Sequence, residues 1–181
     1  MFKIYQVAAL SLLLFIIGSF IPRSSRSESE VSVPESLDPG EDKSLVMIVP
    51  AKGVQIYKCS QSKVDAEEYE WELVAPEADL FDENGNKIGK HYYGPHWESN
   101  DGSKILGTLE EKADAPSPDD AAWLLVSTES EGAEGELSNI TNIQRLNTEG
   151  GSAPETGCSR SEVGKLMQID YTADYYMFGS E

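Results

Sequence analysis

Apolar and polar positions alternate through most of the chain. Tyr69, Trp71, Leu73 and Ala75 fall on one side of an extended segment, with Glu70 and Glu72 on the other. Successive side chains of a strand face opposite ways, so this pattern predicts a half-buried strand. Val54, Ile56 and Tyr57 mark an earlier strand ending near Cys59. Residues 78–82 run into Asn84-Gly85, the favoured pair for a type I′ turn, with residues 87–93 as the returning arm. Asp101-Gly102 marks a second turn between residues 96–98 and 104–109. Pro116 and Pro118 interrupt regular structure across residues 113–120. Residues 123–128 then read as a buried strand and residues 131–135 as a hairpin tip.

Leu137, Ile140, Ile143 and Leu146 recur every third residue, a spacing that a strand accommodates only with a bulge; the segment is assigned to a strand. Gly150-Gly151 and Pro154 open a loop carrying Cys158, and residues 165–178 form a closing strand rich in Tyr, Met and Phe. Eight to ten short antiparallel strands and no long amphipathic helix define an all-β domain, a single β-sandwich or barrel.

The first residues follow a different pattern. Residues 7–21 are apolar and uncharged behind Lys3. As a helix they cover roughly 22 Å, short of the ~30 Å hydrocarbon layer, so residues 1–26 read as a secretory signal peptide, with an uncleaved signal anchor as the alternative. Residues 27–43 are rich in Ser, Glu, Asp and Pro and read as a disordered acidic linker. Residues 44–181 form the β-domain, long enough for one core.

Charge narrows the class of partner. The chain has 14 basic and 32 acidic residues, a net charge of −18. Removing Lys3, Arg23 and Arg26 with the leader leaves 11 basic against 32 acidic residues, or −21. Such a domain repels nucleic acid and anionic membrane surfaces, and no membrane association is expected beyond the signal segment. The two cysteines, Cys59 and Cys158, allow one pairing, and in an exported protein they are expected to form a disulfide between the first strand and the loop before the last. The expected location is therefore periplasmic, extracellular or on the cell surface.

The chemistry-bearing residues are concentrated in one stretch. Residues 91–98 hold both histidines, His91 and His96, with Tyr93, Trp97 and Glu98. Aromatic faces suit stacking on a ring or sugar, and the histidines and carboxylate suit proton transfer or metal ligation. The Gly94-Pro95 turn and a core role for Trp97 explain the same residues structurally. Asp174 and Tyr175 in the closing strand are the other candidates for a binding site. No catalytic residue, metal site or cofactor is assigned. A third histidine for zinc is lacking, and the calcium-loop imitation Asp82, Asn84, Asn86 fails at Lys87 and Tyr93. No nucleophile elbow, P-loop or dinucleotide fingerprint occurs. Asn139-Ile140-Thr141 is a formal glycosylation sequon, relevant only where the source glycosylates exported chains.

Several motifs in order carry a family resemblance. Residues 49–59, Trp71, His91 with Gly94-Pro95 and Trp97-Glu98, residues 123–125 and 143–148, Gly150-Gly151, Gly157-Cys158 and residues 171–176 together resemble an exported family filed as domain of unknown function 3455. The family has no established activity or ligand. What the resemblance implies is a shared structural or binding role for residues 91–98 and 171–176. The expected function is a non-catalytic exported β-domain binding a small molecule, glycan or envelope component. The alternatives are a hydrolase using carboxylates beside His91 or His96, and a structural surface protein without a ligand.

Overall fold

The computed structural model describes residues 32–180; the expected signal segment lies outside them. Eight strands follow one another: β1 (Lys43–Gln61), β2 (Tyr69–Phe81), β3 (Lys87–Tyr92), β4 (His96–Ser99), β5 (Lys104–Ala113), β6 (Trp123–Ser130), β7 (Ile140–Gly150) and β8 (Leu166–Ser180). Each pairs antiparallel with the next, and β8 returns to β1, so the sheet closes into an up-and-down barrel. Every strand thus has a neighbour on each side, which resolves the sandwich-or-barrel alternative in favour of the barrel. No α-helix occurs among the described residues.

Alternation fills the barrel as the sequence pattern requires. Val49 and Ala51 of β1, Leu80 of β2, Trp97 of β4, Ile105 of β5, Val126 of β6, Ile143 of β7 and Tyr175 and Met177 of β8 belong to one interior cluster. A local irregularity bends the pattern in β2. The β1–β2 register shifts by one residue between Ile56 and Tyr57, so buried Trp71 before the shift is odd-numbered while Ala78 and Leu80 of the interior cluster are even-numbered, and Ala75, also buried, lies at the shift itself. At Gly107 an added Cβ would sit 2.7 Å from both Trp97 and Val126, so the missing side chain makes room for the indole.

The turn after β2 departs from the expected type I′ geometry. Gly85 takes φ 79°, but Asn84 is not in the positive-φ region that a type I′ turn needs at both central residues. The Asp82 carboxylate accepts from the Asn84 and Asn86 amides and from the Asn86 side chain, which holds a wider turn. The third-residue recurrence has two causes: the β7–β8 register shifts between Ile140 and Asn142, the bulge that such spacing requires, so Ile140 and Ile143 share the interior cluster with Leu137 of the preceding turn, and β7 is buried on both faces. Ile143 belongs to the interior cluster, whereas Leu146 packs outside with Trp123, Leu125 and Leu37.

Leu37 lies within the segment expected to be linker. It sits in a 3-10 turn, Glu35–Leu37, and is fully buried. Its carbonyl oxygen accepts a hydrogen bond from the Gln144 side chain at 2.6 Å. One leucine in an acidic stretch is enough to dock it, because the outward faces of β6 and β7 present apolar side chains to it. Elsewhere, Cys59 of β1 and Cys158 of the β7–β8 loop form a disulfide with an S–S distance of 2.02 Å.

Candidate functional site

Two strands are much shorter than the rest, and this opens the barrel wall. β3 and β4 have 6 and 4 residues, against 13 in β2 and 10 in β5. β3 pairs only with residues 78–81 of β2, and β4 only with residues 104–106 of β5. The first half of β2 and the second half of β5 therefore face each other across a gap capped by the Tyr93-Gly94-Pro95 turn. Leu73, Val74, Tyr93 and Leu109 border this gap and are 42–71% exposed. Large apolar side chains thus stand exposed around one opening.

Behind the gap lies a cavity of about 280 Å³. Leu73, Leu124 and Val126 give it apolar walls, and Gln55, His91, Trp97, Arg145 and Tyr175 add polar or aromatic groups. A second cavity of about 860 Å³ adjoins it and shares Gln55, Leu73, Leu109, Leu124 and Arg145. This outer chamber is bounded by the β5–β6 loop around Pro116 and by Ser152 and Ala153 of the β7–β8 loop. The disulfide and the Trp71 Nε1–Thr156 carbonyl bond at 2.9 Å tie that loop to β1 and β2.

Three expected site residues converge on the inner cavity. The His91 ring stacks on Trp97 with centroids 4.2 Å apart, and Tyr175 meets both rings edge-on at 5.2 and 5.5 Å. Tyr93 stands at the rim. The other candidates lie elsewhere, for a simple reason: adjacent residues of a strand face opposite sides. Trp97 is buried in the interior cluster, so His96 and Glu98 are on the outer face. His96 contacts the Glu131 carboxylate at 3.0 Å, and Glu98 accepts the Tyr92 hydroxyl at 2.6 Å. That hydrogen bond pushes the Tyr92 hydroxyl up to about 12 and holds Glu98 below the usual carboxylate range. Asp174, next to Tyr175, is likewise outside, accepting from Asn147 at 3.0 Å. Asn139 of the sequon is exposed in the turn before β7.

Burial pushes His91 down to about 3 from an ordinary 6.5, assisted by the Arg145 charge and opposed by the hydrogen bond to the His96 carbonyl. Its Nδ1–H donates to that carbonyl at 2.8 Å, which leaves Nε2 unprotonated. The folded state thus excludes a proton that the unfolded chain takes up below pH 6.5. Stability is full above that value and is lost as pH falls toward 3, with a limiting slope of about 1.4 kcal/mol per pH unit from this group. In His91→Gln, urea unfolding between about pH 6 and 4 is expected to show a slope shallower by up to that amount. An unchanged slope would refute the assignment.

Sequence reasoning missed Gln55 and Arg145. Gln55 stands between apolar Val54 and Ile56, whereas Arg145 lies in a mixed stretch between Gln144 and Leu146. Gln55 is 1% exposed and Arg145 8%. The side-chain nitrogens of Gln55 and Trp97 have no partner in hydrogen-bonding geometry among the described residues, although Gln55 comes near enough to the Tyr171 hydroxyl to oppose its upward shift. Arg145 Nε and Nη2 both donate to the Ala122 carbonyl, at 3.0 and 2.7 Å. Burial raises the Tyr57 and Tyr175 hydroxyls, and the Arg145 charge partly offsets this in each. The Tyr171 and Tyr175 hydroxyls lie 3.3 Å apart, completing a polar belt inside the barrel. Among the described residues no three His, Cys, Asp or Glu side chains gather as a group able to hold a metal ion.

A closed antiparallel barrel with an apolar chamber, a buried polar belt and an opening through its wall defines the class. The model of the family described as "Protein of unknown function (DUF3455)" matches residues 39–179, and the chain belongs to that family. The match takes in nearly the whole of all eight strands. No curated protein and no solved structure matches the chain.

Proposed function

We propose that this protein binds a small apolar molecule inside its barrel, admitted through the gap between β2 and β5, and does so outside the cytoplasm. The observation that carries the reading is the continuity from Leu73, Val74, Tyr93 and Leu109 at the surface into the cavity beneath them. Ligand sites are concave, mostly apolar and furnished with a few placed polar groups, and barrel mouths are among their usual positions. The disulfide supports the extracytoplasmic part of the reading. The hydrolase alternative gains no support: among the described residues no carboxylate lines the inner cavity beside His91, and the Glu131 carboxylate beside His96 lines neither chamber.

Uptake of the neutral fluorophore N-phenyl-1-naphthylamine tests the proposal. Its emission is expected to rise on mixing with the protein, with quenching of Trp97, which lines the cavity. Leu109→Glu places a charge at a position 56% exposed, where folding tolerates it, and is expected to weaken uptake by about tenfold. An absence of uptake by the folded wild-type protein would overturn the reading.

A further inference from the structure

The interior holds a cation with no anion to match it. Arg145 projects into the barrel from β7, opposite Leu124 of β6 and Tyr175 of β8, and lines both chambers at their junction. It forms no ion pair among the described residues, although the chain has 32 acidic side chains. Asp114 and Asp120 line only the outer chamber, and the Asp120 carboxylate already accepts the Gly150 amide at 2.7 Å. The two hydrogen bonds of Arg145 to Ala122 go to a single carbonyl oxygen. The Tyr175 hydroxyl is a further hydrogen-bonding neighbour. Both are neutral, and a guanidinium carries five N–H groups.

A buried charge is costly unless an opposite charge and hydrogen bonds compensate it. A planar guanidinium matches a carboxylate in geometry as well as charge. Two further side chains of the same cavity lining carry buried nitrogens without a hydrogen-bond partner among the described residues. Gln55, whose amide nitrogen is one of them, lines both chambers, and Trp97, whose indole nitrogen is the other, lines the inner one. Most of the remaining inner lining is apolar.

We infer that the natural ligand is an amphiphilic monocarboxylate: its carboxylate pairs with Arg145 and Gln55 at the junction of the two chambers, and its apolar body lies against Leu73, Leu124, Val126 and Trp97. The inference rests on the barrel-binding reading above and specifies its ligand. The surface charge adds a constraint. A chain of net charge −18 repels anions at a distance, so selection of a carboxylate must come from the buried guanidinium.

Three probes with one apolar body, octanoate, 1-octanol and octylamine, separate the contributions at about pH 7, read by displacement of N-phenyl-1-naphthylamine. Wild-type protein is expected to bind octanoate about tenfold or more tighter than 1-octanol, with octylamine weakest. Arg145→Met is expected to abolish the preference for octanoate over 1-octanol, and Arg145→Lys to retain part of it. Equal or tighter binding of 1-octanol by the wild type would overturn the carboxylate assignment and leave the barrel-binding reading standing. So would an undiminished preference in Arg145→Met. Should that variant not fold, the wild-type comparison decides alone. Failure of the wild type to bind the fluorophore and all three probes would overturn both readings.

Discussion

Replacing Cys59 and Cys158 together by serine is expected to lower the unfolding free energy of the barrel by about 3–4 kcal/mol. The two residues are 99 apart in sequence, and the chain-entropy model assigns about 4.7 kcal/mol to a loop of that size, an upper figure because real bridges commonly deliver less. The bridge restrains the unfolded chain far more than the folded one. In the folded barrel the same region is also held by backbone hydrogen bonds between Cys59 and both Gly164 and Lys165, by the Tyr57 hydroxyl on the Gly151 carbonyl, and by Trp71 on Thr156. The serine variant is therefore expected to fold and to lose stability cooperatively, with a melting temperature lower by about 10 °C. Urea titrations of the two proteins in one buffer measure the difference; a gap below about 1 kcal/mol would show that the bridge adds little. Alkylation of the protein as recovered from its source is expected to label neither cysteine, and labelling of both would contradict an extracytoplasmic location.

The second large effect belongs to a residue outside the barrel. Leu37→Ala is expected to cost about 3 kcal/mol, within the range for emptying a buried leucine site. Leu37 is fully buried although its neighbours Glu35 and Ser36 are exposed. It packs on Trp123, Leu125 and Leu146, which face outward from β6 and β7. Losing its side chain leaves a void against these three, and removing the segment altogether would uncover them as an apolar patch. Val33, 43% exposed in the same stretch, serves as the control, with an expected cost for Val33→Ala below about 0.5 kcal/mol. Denaturant titration of the two variants reads the contrast. Equal and small effects would mean that the segment does not dock in solution.

The strands themselves were legible in the sequence because period-two alternation is a local property. Residues 171–177 bury every second side chain, and Trp71 is buried between exposed Glu70 and Glu72. The site was legible only in part. His91, Trp97, Tyr93 and Tyr175 stood out through the density of aromatic and titratable groups, but the same alternation that predicted the strands separates Trp97 from His96 and Glu98, and Tyr175 from Asp174. Proximity in sequence suggested one cluster where the pleat makes two faces. Gln55 and Arg145 are not legible as site residues because a polar side chain, alone between apolar neighbours as Gln55 is or in a mixed strand as Arg145 is, has the same appearance whether it faces solvent or the interior. In β7, buried on both sides, alternation could not distinguish these cases.

Three properties were therefore written in the order of residues alone: the class of fold, the pairing of the two cysteines, and the family to which the chain belongs. They follow from local periodicity, from there being one possible pairing, and from the succession of motifs along the chain. Closure of the sheet needed the folded molecule, because β1 and β8 join segments from opposite ends of the domain and leave no local signature. So did the opening between β2 and β5, since the gap arises from a mismatch in length among four strands rather than from any one of them. The placement of Arg145 inside, with no carboxylate paired to it among the described residues, depends on both: closure buries the guanidinium, and the cavity that it lines reaches the gap.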